Sequence, residues 1–239
     1  MPFAHRHRIA ALVAFVIPLP FAGAAAAGEA VRYSLDPVHT RVMFAVEHAG
    51  FSEAIGTVSG STGQLAFDAE DWTVATLRAS VPMARVDMGD AGWNKATLAG
   101  NLLDADDHPE AVFVSTRVEP TAPNRASVYG TLTLRGVSRE IVLDVTLNAV
   151  KRHPLPPFRR TVGFSATTAL SRKDFGIDAW PSVIGDAVEL RIEAEAVRSR
   201  GDEGDDDGID APDAPIDASS SPGAAKTGAL PQPSTEPAP

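Results

Sequence analysis

The 239-residue sequence contains no cysteine, and only 6% of its residues are aromatic. Without cysteine, the chain can form no disulfide bond, and catalysis or metal binding by cysteine is excluded. The folded part must therefore be stabilised by the burial of its apolar side chains alone.

Several functional motifs are also absent. The sequence contains no phosphate-binding loop, dinucleotide fingerprint, coiled coil or internal repeat. It has no G-x-S-x-G nucleophile elbow either, so a Ser-His-Asp hydrolase is not favoured. The formal net charge is −10, of which the last 39 residues contribute −8 and the signal segment +2, so the middle carries −4; this negative charge argues against a nucleic-acid partner because nucleic-acid backbones are themselves negative.

The N-terminal residues have the pattern of a secretory signal peptide. A basic segment at 5–8 precedes an apolar run at 9–21, and small residues at 22–27 provide a cleavage site. The apolar run is short for a membrane span, and Pro18 interrupts it. We therefore expect residues 1–27 to be removed on export. An exported chain without cysteine fits a bacterial periplasm best, with secretion as the other destination.

Residues 201–239 differ in composition from the rest of the chain. They are rich in Asp, Pro, Ala and Ser, with nine acidic side chains and one basic side chain. With so few large apolar side chains, this segment cannot offset the entropy cost of ordering itself. The sequence therefore predicts a disordered acidic tail and a single folded domain at 28–200, of ordinary domain size.

Between these ends, nearly every segment alternates like a β-strand with one apolar and one polar face. The clearest case is 188–196, where aliphatic residues alternate with Glu and Arg. A tight turn at 135–138 predicts a hairpin between strands at 125–135 and 139–150. Further strands are predicted at 62–68, 73–87, 112–118 and 162–170.

One segment, residues 89–103, predicts a helix instead. Asp90 is suited to cap its N-terminus and Gly100 to end it. About eight antiparallel strands fit either a closed barrel or a two-sheet sandwich, and the length of the strands favours the barrel. A single short helix would then be a lid or plug at one end of the barrel.

In the stretch at 36–51, a turn signal at Asp36-Pro37 leads into the alternation of the first long strand, and two histidines frame that alternation. His39 and His48 suggest a metal pair, but a metal site needs a third ligand, and their spacing follows no known motif. Nine residues of extended chain would also separate them by about 30 Å. We favour the interpretation that each histidine hydrogen-bonds a turn or loop at a strand end.

The segment at 104–108, Asp-Ala-Asp-Asp-His, is the other candidate for a cation site. Its spacing does not match a known calcium loop, and Pro109 follows it directly. A solvated turn before the next strand is the favoured interpretation. No metal or cofactor is predicted for the chain.

Six segments occur in a fixed order through the middle of the chain. They are YSLDPVH at 33–39, VMFAVEHAGF at 42–51, HPEAVFVST at 108–116, GTLTLRGV at 130–137, SRKDFGI at 171–177 and IGDAVEL at 184–190. As an ordered set, they resemble the YceI-like family of lipocalin-like, polyisoprenoid-binding periplasmic proteins. The resemblance implies an all-β, eight-stranded antiparallel barrel with a short helical insertion, around an elongated apolar cavity that holds an isoprenoid quinone or similar amphiphile.

The chain departs from that family pattern in three places. Residues 101–104 lack the aromatic side chains usual before Asp104, which bears on the cavity mouth. The segment 153–158 is rich in proline where the family has glycine, and the acidic tail has no counterpart in the family.

The resemblance and the strand pattern together predict a binding protein that performs no chemistry. The residues expected to contact the ligand are Val42, Phe44, Val46, Phe51, Trp93, Leu98, Phe113, Phe164, Phe175, Ile177 and Trp180. For Trp93, Leu98, Phe175, Ile177 and Trp180, which lie outside the predicted strands, packing in the core at the barrel end is an equal alternative. The expected partner is a long-chain apolar small molecule, exchanged through transient membrane contact and with no nucleic acid involved; a homodimer is left open. Arg172, Asp174 and Asn94 are candidates to orient a headgroup.

Two other functions remain alternatives. The first is a filled β-sandwich that binds protein partners through its loops or acidic tail. The second is an enzyme that acts on a lipid held in the cavity. No sequence feature indicates this second alternative.

Overall fold

The computed structural model describes residues 30–199, so the predicted signal peptide and the predicted tail lie outside the described residues. The described chain is all-β apart from one α-helix and three 3-10 turns. The strands are β1 Val31–Leu35, β2 Arg41–His48, β3 Ser52–Ser59, β4 Thr62–Phe67, β5 Thr76–Pro82, β6 Val86–Asp87, β7 Glu110–Ala122, β8 Arg125–Leu134, β9 Val137–Arg152, β10 Arg160–Ser171 and β11 Ile184–Arg198; the helix is α1 Ala91–Leu98.

The strands form one closed antiparallel barrel. The ladder runs from β4 through β5, β7, β8, β9 and β10 to β11, and β1 closes the ring by pairing with both β4 and β11. β1 and β2 are two parts of one barrel strand, because both pair with β11. In the same way, β3 and β4 are two parts of a second interrupted strand, and β5 and β6 are two parts of a third. The predicted eight-stranded barrel is confirmed, and the two-sheet sandwich is wrong because the ladder returns to its first strand.

The first three barrel strands are interrupted at the same level. The interruptions lie at 36–40, 60–61 and 83–85, and the Gly60 amide donates to the Pro37 carbonyl at 3.1 Å. The inward-facing residues are odd-numbered in β1 and even-numbered in β2, because the inserted residues shift the alternation. Such irregularities bend strands and help a sheet to close.

The predicted strand at 73–87 is therefore only partly right. It is divided into a 3-10 turn at Trp72–Val74, strand β5, a second turn at Met83–Arg85 and strand β6. The Asp71 carboxylate accepts a hydrogen bond from the Thr73 amide at 3.0 Å and so favours the first turn.

The β8–β9 hairpin is confirmed, with a shorter turn than predicted. Arg135 and Gly136 have φ values of 50° and 72°, as a two-residue type I′ turn requires, so β9 begins at Val137. A Cβ atom at position 136 would lie 2.8 Å from the His108 ring, which gives Gly136 a second reason to be glycine.

The predicted helix forms but is shorter than 89–103. Asp90 caps α1 as expected, because its carboxylate accepts hydrogen bonds from the amides of Gly92 at 2.8 Å and Trp93 at 3.0 Å. The helix ends at Leu98, and residues 99–103 continue as turns. No helix within 30–199 has the length and apolar content needed to span a membrane. No residue of α1 is fully buried, so the helix lies over the barrel rather than inside a packed core.

Candidate ligand-binding cavity

The barrel is hollow. Its interior holds a cavity of about 570 Å³, lined almost entirely by apolar side chains from every barrel strand. Inward-facing residues such as Val42, Phe44 and Val46 are only half-buried, because they face this space instead of a packed neighbour. The cavity extends from Trp72 at one end to Trp93 and Trp180 at the other.

The end that contains Trp72, here called the base, is closed by three aromatic rings. The ring centroids of Phe67 and Trp72 lie 5.2 Å apart, and those of Phe67 and Phe164 lie 5.3 Å apart, both nearly edge to face. This geometry is favourable for aromatic pairs and leaves little free space. The buried core of the barrel surrounds the same rings and includes Tyr33 and Val162. The base is thus the packed half of the molecule.

Two glycines keep the lumen open higher in the barrel. A Cβ atom at Gly56 would lie 2.3 Å from Cζ of Phe44, and one at Gly130 would lie 2.4 Å from Cζ of Phe113. Each phenylalanine ring therefore lies against the backbone of a neighbouring strand instead of crossing the lumen. The aromatic rings coat the wall and leave the centre of the cavity free.

The opposite end, here called the mouth, is bordered by loops and by α1. The Trp93 ring of α1 lies 5.5 Å from the His48 ring at the end of β2. The β2–β3 turn is joined to the loop before β11 by a hydrogen bond from the Ala49 amide to the Val183 carbonyl, at 2.6 Å. Trp93, Trp180 and Val183 all line the cavity and are also partly exposed to solvent.

Most of the predicted contact residues line this cavity. They are Val42, Phe44, Val46, Trp93, Phe113, Phe164, Phe175, Ile177 and Trp180. Phe175 is almost completely buried and Ile177 largely so, which places both beneath the mouth loops.

Phe51 and Leu98, which were also expected to contact the ligand, do not line the cavity. The alternation of β2 ends at His48, which pairs with Ser52, and the reverse turn between them carries Phe51 into solvent, where it is 91% exposed. On α1, Trp93, Ala96 and Thr97 share the cavity face, and Leu98 is rotated by about 100° from Thr97.

Part of the cavity wall was not predicted from the sequence. Leu65, Phe67, Trp72, Leu132, Leu143 and Ile192 also line the cavity. Leu132, Leu143 and Ile192 lie at inward positions of β8, β9 and β11, and the apolar alternation of these strands in the sequence could have identified them. Trp72 had no such signal, because it reaches the lumen from a turn.

Of the three polar candidates for a headgroup site, Arg172 lines the cavity and Asp174 and Asn94 do not. Arg172 is only 5% exposed, and its guanidinium donates to the carbonyl oxygens of Gly185, Ile177, Ala179 and Ile184 at 2.8–2.9 Å. Four of its five N–H groups are thereby committed to holding the loop before β11.

Asn94 and the nearby Arg135 are similarly engaged. The Asn94 side-chain oxygen accepts a hydrogen bond from the Met88 amide at 2.6 Å. Arg135 donates to the carbonyl oxygens of Gly176 and Gly100, each at 2.7 Å. Arg135 therefore links the β8–β9 turn to the two longest loops of the mouth.

The two histidines occupy different environments. His39 lies in the turn after β1, and its Nδ1 is 2.8 Å from a carboxylate oxygen of Asp36, whose hydrogen bond and charge raise the pKa of His39. This is the turn interaction expected from the sequence. His48 instead lines the mouth beside Trp93. Within 30–199, no group of three or more His, Asp or Glu side chains is arranged to hold a metal ion.

The segment 104–108 forms a turn. The His108 amide donates to the Asp104 carbonyl at 2.8 Å, and Nε2 of His108 lies 3.9 Å from a carboxylate oxygen of Asp104. The His108 ring also packs over Gly136. The segment thus connects α1 to β7 and rests on the β8–β9 turn.

Comparison with known proteins places this geometry among related barrels. The model of the YceI-like domain matches residues 33–196. A UPF0312 protein of Pseudomonas savastanoi pv. phaseolicola is 33% identical over 162 residues, which cover 68% of this chain and 83% of the relative. A UPF0312 protein of Shewanella sp. strain MR-7 is 30% identical over 192 residues, covering 80% of this chain and 97% of the relative.

Two solved structures share the fold. Burkholderia cenocepacia BcnA superposes with a TM-score of 0.61 at 21% identity, covering 67% of this chain and 98% of that protein. A polyisoprenoid-binding domain from Saccharophagus degradans, implicated in plant cell wall breakdown, gives a TM-score of 0.53 at 14% identity, covering 71% of this chain and 99% of that domain. At these identities the superpositions establish the shared barrel fold.

Proposed function

Because the chain belongs to the family of YceI-like domains, we propose that it is a periplasmic carrier that sequesters a polyisoprenoid, such as an isoprenoid quinone, or another long-chain amphiphile. The observation that carries the proposal is the apolar cavity of about 570 Å³, closed at the base and bordered by loops at the mouth. This volume lies within the usual range for small-molecule pockets.

The cavity wall is chemically suited to a hydrocarbon chain. Each methylene group moved from water into the cavity contributes about 0.8 kcal/mol, so ten such groups contribute roughly 8 kcal/mol before ordering costs. That value corresponds to about micromolar affinity. A longer isoprenoid buries more apolar surface, so binding requires neither a metal nor a covalent bond.

The electrostatics favour binding over catalysis. Active sites tend to gather titratable groups with shifted pKa values. The only titratable side chains among the cavity residues are Glu47, His48 and Arg172, and the Arg172 guanidinium is already committed to four backbone carbonyl groups. We therefore propose that the ligand is held and released unchanged.

Two further observations support the ligand class and the location. One structure with the same fold is a polyisoprenoid-binding domain. The N-terminal pattern of a signal peptide supports export, and a carrier in the periplasm would exchange its ligand by transient contact with a membrane.

The test is to purify the exported chain from its native host and to identify bound lipid by native mass spectrometry and extraction. The informative variant is Ala166→Phe, because Ala166 is buried on the inner face of β10 and lines the cavity. Ala169→Phe is the matched control, since Ala169 is exposed on the outer face of the same strand.

We expect the wild type and Ala169→Phe to retain the same lipid, and Ala166→Phe to lose it while remaining folded by circular dichroism. A wild-type protein that carries no lipid and binds neither quinones nor other long-chain amphiphiles offered to it would overturn the proposal.

A further inference from the structure

We propose that the mouth of the barrel docks on the surface of a bilayer of low net charge, with Phe51 as the inserting side chain. The proposal rests on the carrier function above and names the surface through which the ligand is exchanged. The docking surface, here called the rim, consists of Phe51, Trp93, Trp180 and Val183.

The rim residues are large apolar side chains that are exposed to solvent. Phe51 is 91% exposed, Trp180 50%, Trp93 46% and Val183 38%. A single exposed apolar residue is ordinary in a soluble protein, but a group at one end of the molecule indicates an interaction surface.

Hydrogen bonds and ring contacts hold the rim together. The bond from the Ala49 amide to the Val183 carbonyl joins the turn of Phe51 to the loop of Trp180 and Val183. The amides of Val183 and Ile184 both donate to the Trp180 carbonyl at 2.9 Å, which closes that loop into a turn. The contact between Trp93 and His48 adds α1 to the group. The rim is therefore one surface built from three neighbouring segments.

The rim is continuous with the cavity. Trp93, Trp180 and Val183 line the interior and also reach solvent, so apolar surface runs from the lumen to the outside. A long hydrocarbon chain that left this mouth into water would lose the free energy of its burial. When the mouth lies on a bilayer, the hydrocarbon chain of the ligand stays in apolar surroundings throughout its transfer. Phe51 lies beyond the cavity wall, where its side chain can enter the bilayer interface.

Charge decides which bilayer suits the rim. Glu47 and Glu53 are paired across β2 and β3 directly beside the turn of Phe51. Asp178 lies in the loop that leads to Trp180, whereas α1 contributes Lys95 as its one cation. Carboxylates next to the inserting residue repel anionic headgroups, so the rim fits a zwitterionic surface such as phosphatidylcholine or phosphatidylethanolamine.

The experiment measures binding of the full exported chain to phosphatidylcholine vesicles by flotation, with quenching of tryptophan fluorescence by brominated lipid as a second readout. The variant is Phe51→Asn. The matched control is Phe158→Asn, because Phe158 is an aromatic residue 52% exposed in the loop between β9 and β10 at the base, and Asn tolerates its positive φ.

We expect Phe51→Asn to weaken vesicle binding by about tenfold, and Phe158→Asn to leave it unchanged. Addition of phosphatidylglycerol to the vesicles should weaken the binding of wild type. Each of three results would overturn the docking proposal. These are an equal loss of vesicle binding in the two variants, stronger binding of wild type to anionic vesicles, and no vesicle binding by wild type.

Lipid retention in solution, measured on the same samples by mass spectrometry, separates this proposal from the carrier function. A wild type that retains lipid but does not bind vesicles overturns docking alone. A wild type that binds vesicles but never holds lipid overturns the carrier function.

Discussion

Two serines in the cavity wall, Ser61 and Ser115, differ in whether their side-chain hydroxyl groups have a hydrogen-bond partner. Ser61 is 2% exposed and its hydroxyl has no hydrogen-bond partner among the described residues, whereas the Ser115 hydroxyl accepts a bond from the Leu77 amide at 2.8 Å. Both serines line the cavity. The sequence alone does not separate them, because the difference arises from the neighbouring strand that each residue meets after closure of the barrel.

These two serines give opposite predictions on replacement by alanine. Ser61→Ala removes a buried hydroxyl that has no partner, so we expect the free energy of unfolding to rise by about 1 kcal/mol. Ser115→Ala removes an acceptor and leaves the Leu77 amide unpaired, so we expect a loss of about 1–3 kcal/mol. Urea denaturation followed by circular dichroism measures both. A loss of stability in Ser61→Ala comparable to that in Ser115→Ala would contradict this account.

At the scale of elements, alternation predicts strands well and their interruptions poorly. The β8–β9 hairpin and β11 were predicted correctly because their turn residues and period-two patterns are local signals. The turn at 36–37 was predicted from its Asp-Pro pair, but the breaks at 60–61 and 83–85 were not, since the three breaks meet side by side only in the closed barrel. The prediction of the site was also partial: nine cavity residues were predicted, five from strand alternation and four as apolar residues outside the strands, whereas Trp72, which enters the lumen from a turn, was not predicted.

The loop before β11 has no regular secondary structure, and hydrogen bonds from Arg172 stabilise it. Arg172→Gln removes charged hydrogen bonds to four carbonyl groups, so we expect a destabilisation of about 2–4 kcal/mol and faster hydrogen exchange at 177–184. Arg135→Gln is the comparison, because Arg135 makes two such bonds at a less buried position. We expect Arg135→Gln to lower the free energy of unfolding by about 1 kcal/mol. Equal effects of the two substitutions would contradict a special role for Arg172.

For the whole molecule, the two halves of the barrel carry different tasks. The base holds the aromatic trio and the buried core, and so stabilises a chain that has no disulfide bonds. The mouth consists of loops and of a helix with no buried residue, above a cavity that leaves its wall only half-buried. Since α1 has no buried residue, local opening of the mouth should be cheapest at this helix. A ligand that fills the cavity would add the contacts that the mouth half lacks.

This division predicts that the stability of the whole barrel depends on its occupancy. A ligand bound only by the folded state, at about 100 times its Kd, adds about 2.7 kcal/mol. For a domain of this size, that corresponds to a rise in Tm of roughly 5–10 °C. Differential scanning calorimetry of delipidated protein, with and without an added long-chain quinone, measures the shift. In Ala166→Phe the phenylalanine occupies ligand space, so the quinone should shift its Tm little, whereas Ala169→Phe should respond like wild type. A shift of the same size in Ala166→Phe would place the ligand outside the lumen and contradict the carrier function as proposed.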